Sequence, residues 1–403
     1  MNIFKRLYAR AFQKIMYLGA FFINFSEPKL FKGEKAINKT IELFKSKNIS
    51  NIFIPVADSI YKLGLIDEYL KYLKENNICY TLYIDIKPNP TIEDVENGLK
   101  LYLDNNCQAI IAIGGGSVID AAKIIGARAS NPKISVNKMK GLFKIRKKLP
   151  LLIAVPTTAG TGSETTLAAV IVDKENDHKY HIDSPKLIPS YAVLDPNFLL
   201  TLPGKLTSTT GMDALTHAVE AYIGHSNTRK TKKYALSAIK LIFENLKNSY
   251  DNPSNINYRE NMQLASYQAG VAFTRAYVGN VHSIAHALGG KYNVAHGYAN
   301  AIILPIVLKE YGKTIYSKMA KIYDYVGFKG LKNKKDKCEF VINYIEQLNS
   351  SMSINNEFSN IIMDEDIDEL STFAFKESYP LYPVPKLLDK LDIKNIYKSL
   401  IKS

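Results

Sequence analysis

Cysteine is scarce. Cys79, Cys107 and Cys338 are all that 403 residues contain, and they form no CxxC pair. Their odd number and wide spacing exclude a disulfide scaffold and a thiolate metal site, and point to a reducing compartment. Internal repeats and low-complexity segments are absent. Apolar residues at 46% and charged residues at 22% exclude a disordered or collagen-like chain. A chain this long buries a large core, and at roughly 100–200 residues per domain it divides into two or three.

Long hydrophobic runs are missing as well. Residues Met1–Phe25 carry Lys5, Arg6, Arg10 and Lys14 ahead of an apolar stretch Ile15–Phe25. That stretch is shorter than the roughly 20 residues a membrane span needs. It has the charge and length of a signal peptide, but no small-residue cleavage site follows. The segment reads as a helix packed on the protein, with an amphipathic helix on a membrane surface as the alternative. The chain reads as cytoplasmic, without a transmembrane segment. Acidic residues are in deficit: Lys and Arg outnumber Asp and Glu by 52 to 38, a net charge of +14. Much of the excess sits in Lys138–Lys148 and Lys329–Lys337. Neither stretch carries the interleaved aromatics of a nucleic-acid groove, so both read as solvated surface with no nucleic-acid partner.

The first half alternates short apolar runs with helical patterns. Asn51–Val56, Tyr80–Ile84, Ala109–Ile113, Leu151–Val155, Ala168–Val172 and Ala192–Leu194 read as strands. Lys35–Lys47, Leu63–Glu75 and Thr91–Asp104 read as helices between them. This order predicts an α/β domain with a largely parallel sheet buried on both faces. Pro203 and Gly204 interrupt the pattern. From Gly211 onward the spacing is helical, as in Ala235, Ile239, Ile242 and Leu246, which predicts an all-α domain to the C-terminus. The division is 1–203, with 1–27 as a helical extension, and 204–403.

Two loops in the first half carry the marks of an anion site. Ile113 runs into Gly114-Gly-Gly-Ser117 and then a helix, which brings bare backbone N–H groups to the positive end of the helix dipole. The form is not GxGxxG, and alone it is equally a tight turn. A second loop, Pro156-Thr-Thr-Ala-Gly-Thr-Gly-Ser-Glu164, also follows a strand. Two such loops at strand carboxyl ends favour nucleotide binding. Asp58, after Asn51–Val56, suits ribose hydroxyls and would repel a 2′-phosphate, so it leans to NAD over NADP; it is equally a helix N-cap.

Five of the seven histidines fall between Thr216 and Gly297. Asp213 and His217 are four apart, as are His282 and His286, and each pair shares one helix face. His296 follows in a loop, while His225 reads as a surface residue. Imidazole and carboxylate without thiolate suit Fe(II), Zn(II), Mn(II) or Ni(II). Spacing by itself selects the two pairs and leaves His296 for a second role.

Gly114-Gly-Gly-Ser-Val-Ile-Asp-Ala-Ala-Lys123, Pro156–Glu164, Gly211–Tyr222 and Val281–Asn300 resemble, in order and spacing, the iron-containing (group III) alcohol dehydrogenases. The resemblance runs from about Pro28 to Leu308. It implies an α/β dinucleotide-binding domain, an all-α metal-binding and catalytic domain, and one divalent metal in the cleft between them. Dehydroquinate synthase-like proteins share that architecture. The ligands it implies are Asp213, His217, His282 and His296, which leaves His286 lining the site and relaying protons. Cofactor contacts map to Asp58, Asn89, Gly115, Gly116, Ser117, Thr157, Thr158 and Lys179, with Asp120 and Lys123 supporting the loop. Arg275 and Val278 stand where relatives often carry Asn and Leu, in a segment that lines their pocket, and Ala295 stands where Pro is common.

The resemblance implies an NAD(P)-linked alcohol dehydrogenase or aldehyde reductase. It would use NAD, or NADP, with Fe(II), or Zn, on a small primary alcohol or aldehyde, as a homodimer or larger homo-oligomer. The alternatives are a polyol dehydrogenase of the glycerol type and a non-catalytic nucleotide- or metal-binding protein. His217 argues against the first, and the complete ligand set against the second.

Overall fold

The computed structural model describes residues 1–23, 25–173 and 178–402, with backbone alone for 178, 179 and 402. The chain divides into two compact units. One comprises Asn24–Leu202 with Ser254–Tyr267, and the other Met1–Ile23, Pro203–Pro253 and Gln268–Ser403. Residues 1–23 precede the α/β unit in the chain yet cluster with the helical one, and Ser254–Tyr267 cluster with the α/β unit, so the division expected at 203/204 holds only for the middle of the chain.

In the α/β unit the elements are β1 (Lys29–Lys32), α2 (Lys39–Ser46), β2 (Asn51–Pro55), α3 (Asp58–Lys62), α4 (Asp67–Glu75), β3 (Cys79–Tyr83), α5 (Ile92–Asp104), β4 (Ala109–Gly114), α6 (Gly116–Ser130), α7 (Val136–Met139), β5 (Gly141–Leu142), β6 (Leu151–Pro156), β7 (Ala168–Asp173), β8 (His178–Asp183) and β9 (Tyr191–Leu194). Six strands form one sheet in the order β1-β9-β6-β4-β2-β3, with every pair parallel. Every residue of the central strand β4 is buried, as a strand covered on both faces requires.

One strand departs from the sequence reading. Ala168–Val172 does not join the parallel sheet; β7 pairs antiparallel with β8 in a separate sheet ordered β5-β8-β7. Its residues alternate between buried and half-buried, the mark of a strand with one wet face. The sequence hides this, because Ala, Val and Ile fill both faces.

The helical unit holds α1 (Ile3–Gly19), α8 (Gly204–Ile223), α9 (Arg229–Asp251), the later part of α10 (Ile256–Ala276), α11 (Asn280–Tyr292), α12 (His296–Tyr311), α13 (Tyr316–Val326), α14 (Lys334–Ser351), α15 (Ile367–Ser378) and α16 (Lys390–Lys402). Helix α8 is enclosed from Thr207 to Ile223 apart from Thr210, so its apolar residues run all round it. A Cβ at Gly211 would lie 2.2 Å from Leu246, so glycine lets α8 and α9 approach this closely. Helix α1 begins well before the apolar stretch Ile15–Phe25 and packs on its own unit through Ala9 and Gln13.

Candidate functional site

The histidine-rich residues converge. On α8, Asp213, His217 and Glu220 share one face. Helix α11 adds His282 and His286, and α12 opens with His296. Potential ligand atoms of Asp213, His217, His282 and His296 all lie within 4.8 Å of one another. Asp213 Oδ1 is 3.4 Å from His296 Nε2, 3.9 Å from His282 Nε2 and 4.0 Å from His217 Nδ1. A tetrahedral ion with bonds of about 2.1 Å sets its donors roughly 3.4 Å apart, so a small contraction would close the set.

The donor chemistry fits a divalent cation. Asn300, one turn along α12 from His296, points its Nδ2 into the cluster, 2.7 Å from Asp213 Oδ1, 3.1 Å from His296 Nε2 and 3.3 Å from His282 Nε2. Three acceptors thus converge around one polar hydrogen donor, the place a cation would take. Burial and the neighbouring rings of His217, His296 and His286 hold the His282 pKa well below its usual value, which keeps that imidazole neutral, the form that binds metals.

A second layer of residues aims these ligands. Glu220 is buried and receives three N–H groups: Gly279 N at 2.8 Å, Val281 N at 2.8 Å and His282 Nδ1 at 2.6 Å. Burial pushes its carboxyl pKa up, against the backbone N–H groups that favour the anion. The carboxylate sits at the N-terminus of α11, where the helix dipole favours negative charge. With Nδ1 donating to Glu220, His282 presents Nε2 to the cluster. His217 is clamped flat on Phe273, with ring centres 4.1 Å apart. Two glycines permit these approaches. A Cβ at Gly279 would lie 2.6 Å from Glu220 Oε1, and one at Gly297 would lie 2.4 Å from the Thr209 carbonyl oxygen of α8.

His286 lies beside the four. Its ring stacks on that of His296 at 5.1 Å, while its Nδ1 is 2.7 Å from Glu377 Oε1, an oxygen that also accepts from the Tyr382 hydroxyl at 2.7 Å. Glu220, Asn300, Phe273 and Glu377 escaped the sequence reading. For Glu220 a signal existed: it lies seven residues after Asp213, on the face of both ligands. Arg275, expected to line the pocket, is buried and places its guanidinium 5.4 Å from the Tyr17 ring and 5.1 Å from that of Phe21. It is a docking point for the N-terminal segment. His225 is exposed, as read.

In the α/β unit the two loops meet at the carboxyl ends of neighbouring strands β4 and β6. Gly115 caps α6 with no side-chain partner. A Cβ on Gly115 would lie 3.5 Å from the side chain of Thr158, and one on Gly116 3.0 Å from Thr161, so bare backbone faces the second loop. The Thr157 N–H donates to Gly114 O at 3.1 Å. Asn89, in the left-handed region at φ 58°, donates its N–H to Ser117 Oγ at 3.3 Å. Asp58 opens α3 just beyond Ala57, whose N–H reaches Ile113 O at 2.9 Å; its carboxylate pairs with Lys62 at 2.7 Å. The Lys179 backbone lies in β8, and its side chain falls outside the described residues.

Asp120 and Lys123 brace the second loop. Asp120 accepts from Ser163 Oγ at 2.6 Å and Val170 N at 3.0 Å. Fully buried Lys123 donates to Ser163 Oγ, Thr166 Oγ1 and Ala168 O at 3.0, 2.8 and 2.7 Å.

Two family models match the chain: "Iron-containing alcohol dehydrogenase" over residues 27–196 and "Fe-containing alcohol dehydrogenase family, C-terminal" over 207–401. The NAD-dependent methanol dehydrogenase of Bacillus methanolicus is 33% identical over 380 residues, covering 94% of this chain and 99% of that one. An aldehyde-alcohol dehydrogenase of Streptococcus pneumoniae is 40% identical over 282 residues, 67% of this chain; the match takes in 32% of that longer protein, about a third of its length. Among solved structures, a 1,3-propanediol oxidoreductase superposes with a TM-score of 0.89 at 33% identity, covering 94% of this chain and 99% of that one.

Proposed function

The chain belongs to the iron-containing alcohol dehydrogenase family, and on that premise we propose that it is an NAD(P)-linked, metal-dependent alcohol dehydrogenase or aldehyde reductase. Its substrate would be a small primary alcohol or aldehyde. The α/β unit, Asn24–Leu202 with Ser254–Tyr267, would form the dinucleotide-binding domain and the helical unit the metal-binding, catalytic one, in a cytoplasmic homodimer or larger homo-oligomer. The observation that carries this reading is the convergence of Asp213, His217, His282 and His296, which supplies one anionic and three neutral donors.

These four would hold Fe(II), or Zn(II). Asp58, Asn89, Gly115, Gly116, Ser117, Thr157, Thr158 and Lys179 would bind NAD, the nucleotide named for the similar methanol dehydrogenase. When bound, the cation supplies Lewis-acid stabilisation of the substrate oxygen, and the nicotinamide gives or takes the hydride. Glu220 holds His282 in the tautomer whose Nε2 is free to ligate. The start of α6, which no side chain caps, would receive the pyrophosphate. His286 gives its Nδ1–H to Glu377, which leaves Nε2 to take the alcohol proton on oxidation or return it on reduction, and Glu377 stabilises the imidazolium in between.

The test is reconstitution. Protein purified without oxygen and stripped of metal receives Fe(II) or Zn(II), and NADH or NADPH absorbance is followed with a panel of small aldehydes. Metal-dependent oxidation of one nucleotide is expected. Full metal content and full activity in Asp213→Ala or His282→Ala would overturn the assignment.

A further inference from the structure

Helix α1 lies outside both matched family ranges, which begin at residues 27 and 207, and it is mounted inside out. Its buried residues are Ala9 and Gln13. The Gln13 amide donates to the carbonyls of Pro380 and Tyr382 at 3.0 and 2.8 Å, and Arg10 donates to those of Val384 and Pro385 at 2.7 and 3.1 Å. Arg275 stacks against Tyr17 and donates to its carbonyl at 3.3 Å. Arg10 and Gln13 thus turn their polar groups to the protein.

Its apolar residues face outward. At about 100° per residue, Phe4, Leu7, Ala11, Ile15 and Leu18 fall within an arc of roughly 80°. Phe4, Leu7, Ile15 and Leu18 are 78, 61, 68 and 53% exposed, and Phe22, just beyond the helix, is 92% exposed. Surface helices of globular proteins are built the other way round, and an exposed stripe of this kind marks an interaction face. Lys5 and Lys14 flank the stripe on opposite sides. With Arg6 they are exposed, and no acidic residue precedes Glu27.

We propose that α1 is a docking helix for an anionic lipid surface, lying in the plane of the head groups with Phe4, Leu7, Ile15 and Leu18 sunk toward the acyl chains. Charge selects this occupant. A second copy of the same face would set cation against cation, whereas anionic head groups match Lys5 and Lys14. Among the described residues no helix is long and apolar enough to cross a membrane, so the contact is peripheral. Bonds from Arg10, Gln13 and Arg275 hold the helix with its stripe already turned outward, so binding needs no refolding.

The test is sedimentation of the whole protein with vesicles of phosphatidylcholine alone or with phosphatidylglycerol at 3:1. Pelleting with the mixed vesicles, weakened by salt and absent with neutral ones, is expected. Lys5→Gln with Lys14→Gln should lower the partition coefficient roughly 25-fold, at about fivefold per basic residue. Leu7→Gln with Ile15→Gln should abolish pelleting, with the circular dichroism spectrum and melting temperature unchanged, since both positions are exposed. Failure of the unaltered protein to pellet with anionic vesicles at low salt would overturn the proposal, as would equal pelleting of the Leu7→Gln, Ile15→Gln variant. So would an oligomer that this variant dissociates while the unaltered protein ignores lipid, which assigns the face to a second copy.

Discussion

Glu220→Gln separates the fold of the metal centre from its tuning. The substitution keeps the volume and reach of the side chain but exchanges one acceptor oxygen for an NH2 donor. In the native arrangement both carboxylate oxygens accept, Oε1 from Val281 N, and Oε2 from Gly279 N and His282 Nδ1. An amide can satisfy one of these sides. With its oxygen toward Val281, the NH2 meets two further N–H donors, and His282 relieves the clash by moving its proton to Nε2. That tautomer puts a hydrogen where the ligating lone pair should be. Loss of a carboxylate behind a ligand histidine costs about 10–100-fold in metal affinity, roughly 1.4–2.8 kcal/mol. The assay is competition of metal-stripped protein with a chelator of known Zn(II) affinity, alongside thermal melting of the stripped form. We expect affinity to fall by that factor while the stripped protein still melts cooperatively. Zn(II) affinity within twofold of the unaltered protein would refute the tautomer argument, since nothing else in the set changes.

Gly297→Ala places a methyl 2.4 Å from the Thr209 carbonyl oxygen; it should destabilise by about 1–3 kcal/mol and lower metal occupancy, read by melting and elemental analysis. Gly116→Val pushes a branched side chain into Thr161, 3.0 Å from the built Cβ, and should weaken NADH binding at least tenfold by fluorescence titration with metal content unchanged. Glu377→Gln should lower kcat with little change in KM, because Glu377 supports the protonated His286 without itself touching the substrate. Burial pulls the Lys123 amine down to about 8 from 10.5, so the unfolded chain binds the extra proton between those values. Stability should therefore rise with pH across about pH 8–10.5 by up to about 1.4 kcal/mol per unit, an increment that urea denaturation of Lys123→Met should lack.

How much of this was legible depends on whether the signal was local. The parallel strands were, because burial on both faces forces unbroken apolar runs such as Ala109–Ile113. The strand Ala168–Asp173 was misplaced although its pairing partner is the next strand, because its half-wet face carries apolar residues that mimic burial on both faces. The metal centre divides along the same line. Asp213 with His217 is a local pair on α8, and spacing finds it. The choice between His286 and His296 is not local. Both i,i+4 pairs are equally good as patterns, yet His286 turns its Nδ1 to Glu377, from α15 some ninety residues on, whereas His296 is carried to Asp213 because Gly297 lets the start of α12 press on the Thr209 carbonyl of α8. A contact that depends on one missing Cβ leaves no periodicity behind it. The inverted N-terminal helix illustrates the opposite failure. Its amphipathic pattern was plain, but a pattern says that two faces differ and not which one meets the protein. That was decided by carbonyls around Pro380–Pro385 that accept from Arg10 and Gln13, groups whose place beside α1 only the tertiary fold reveals.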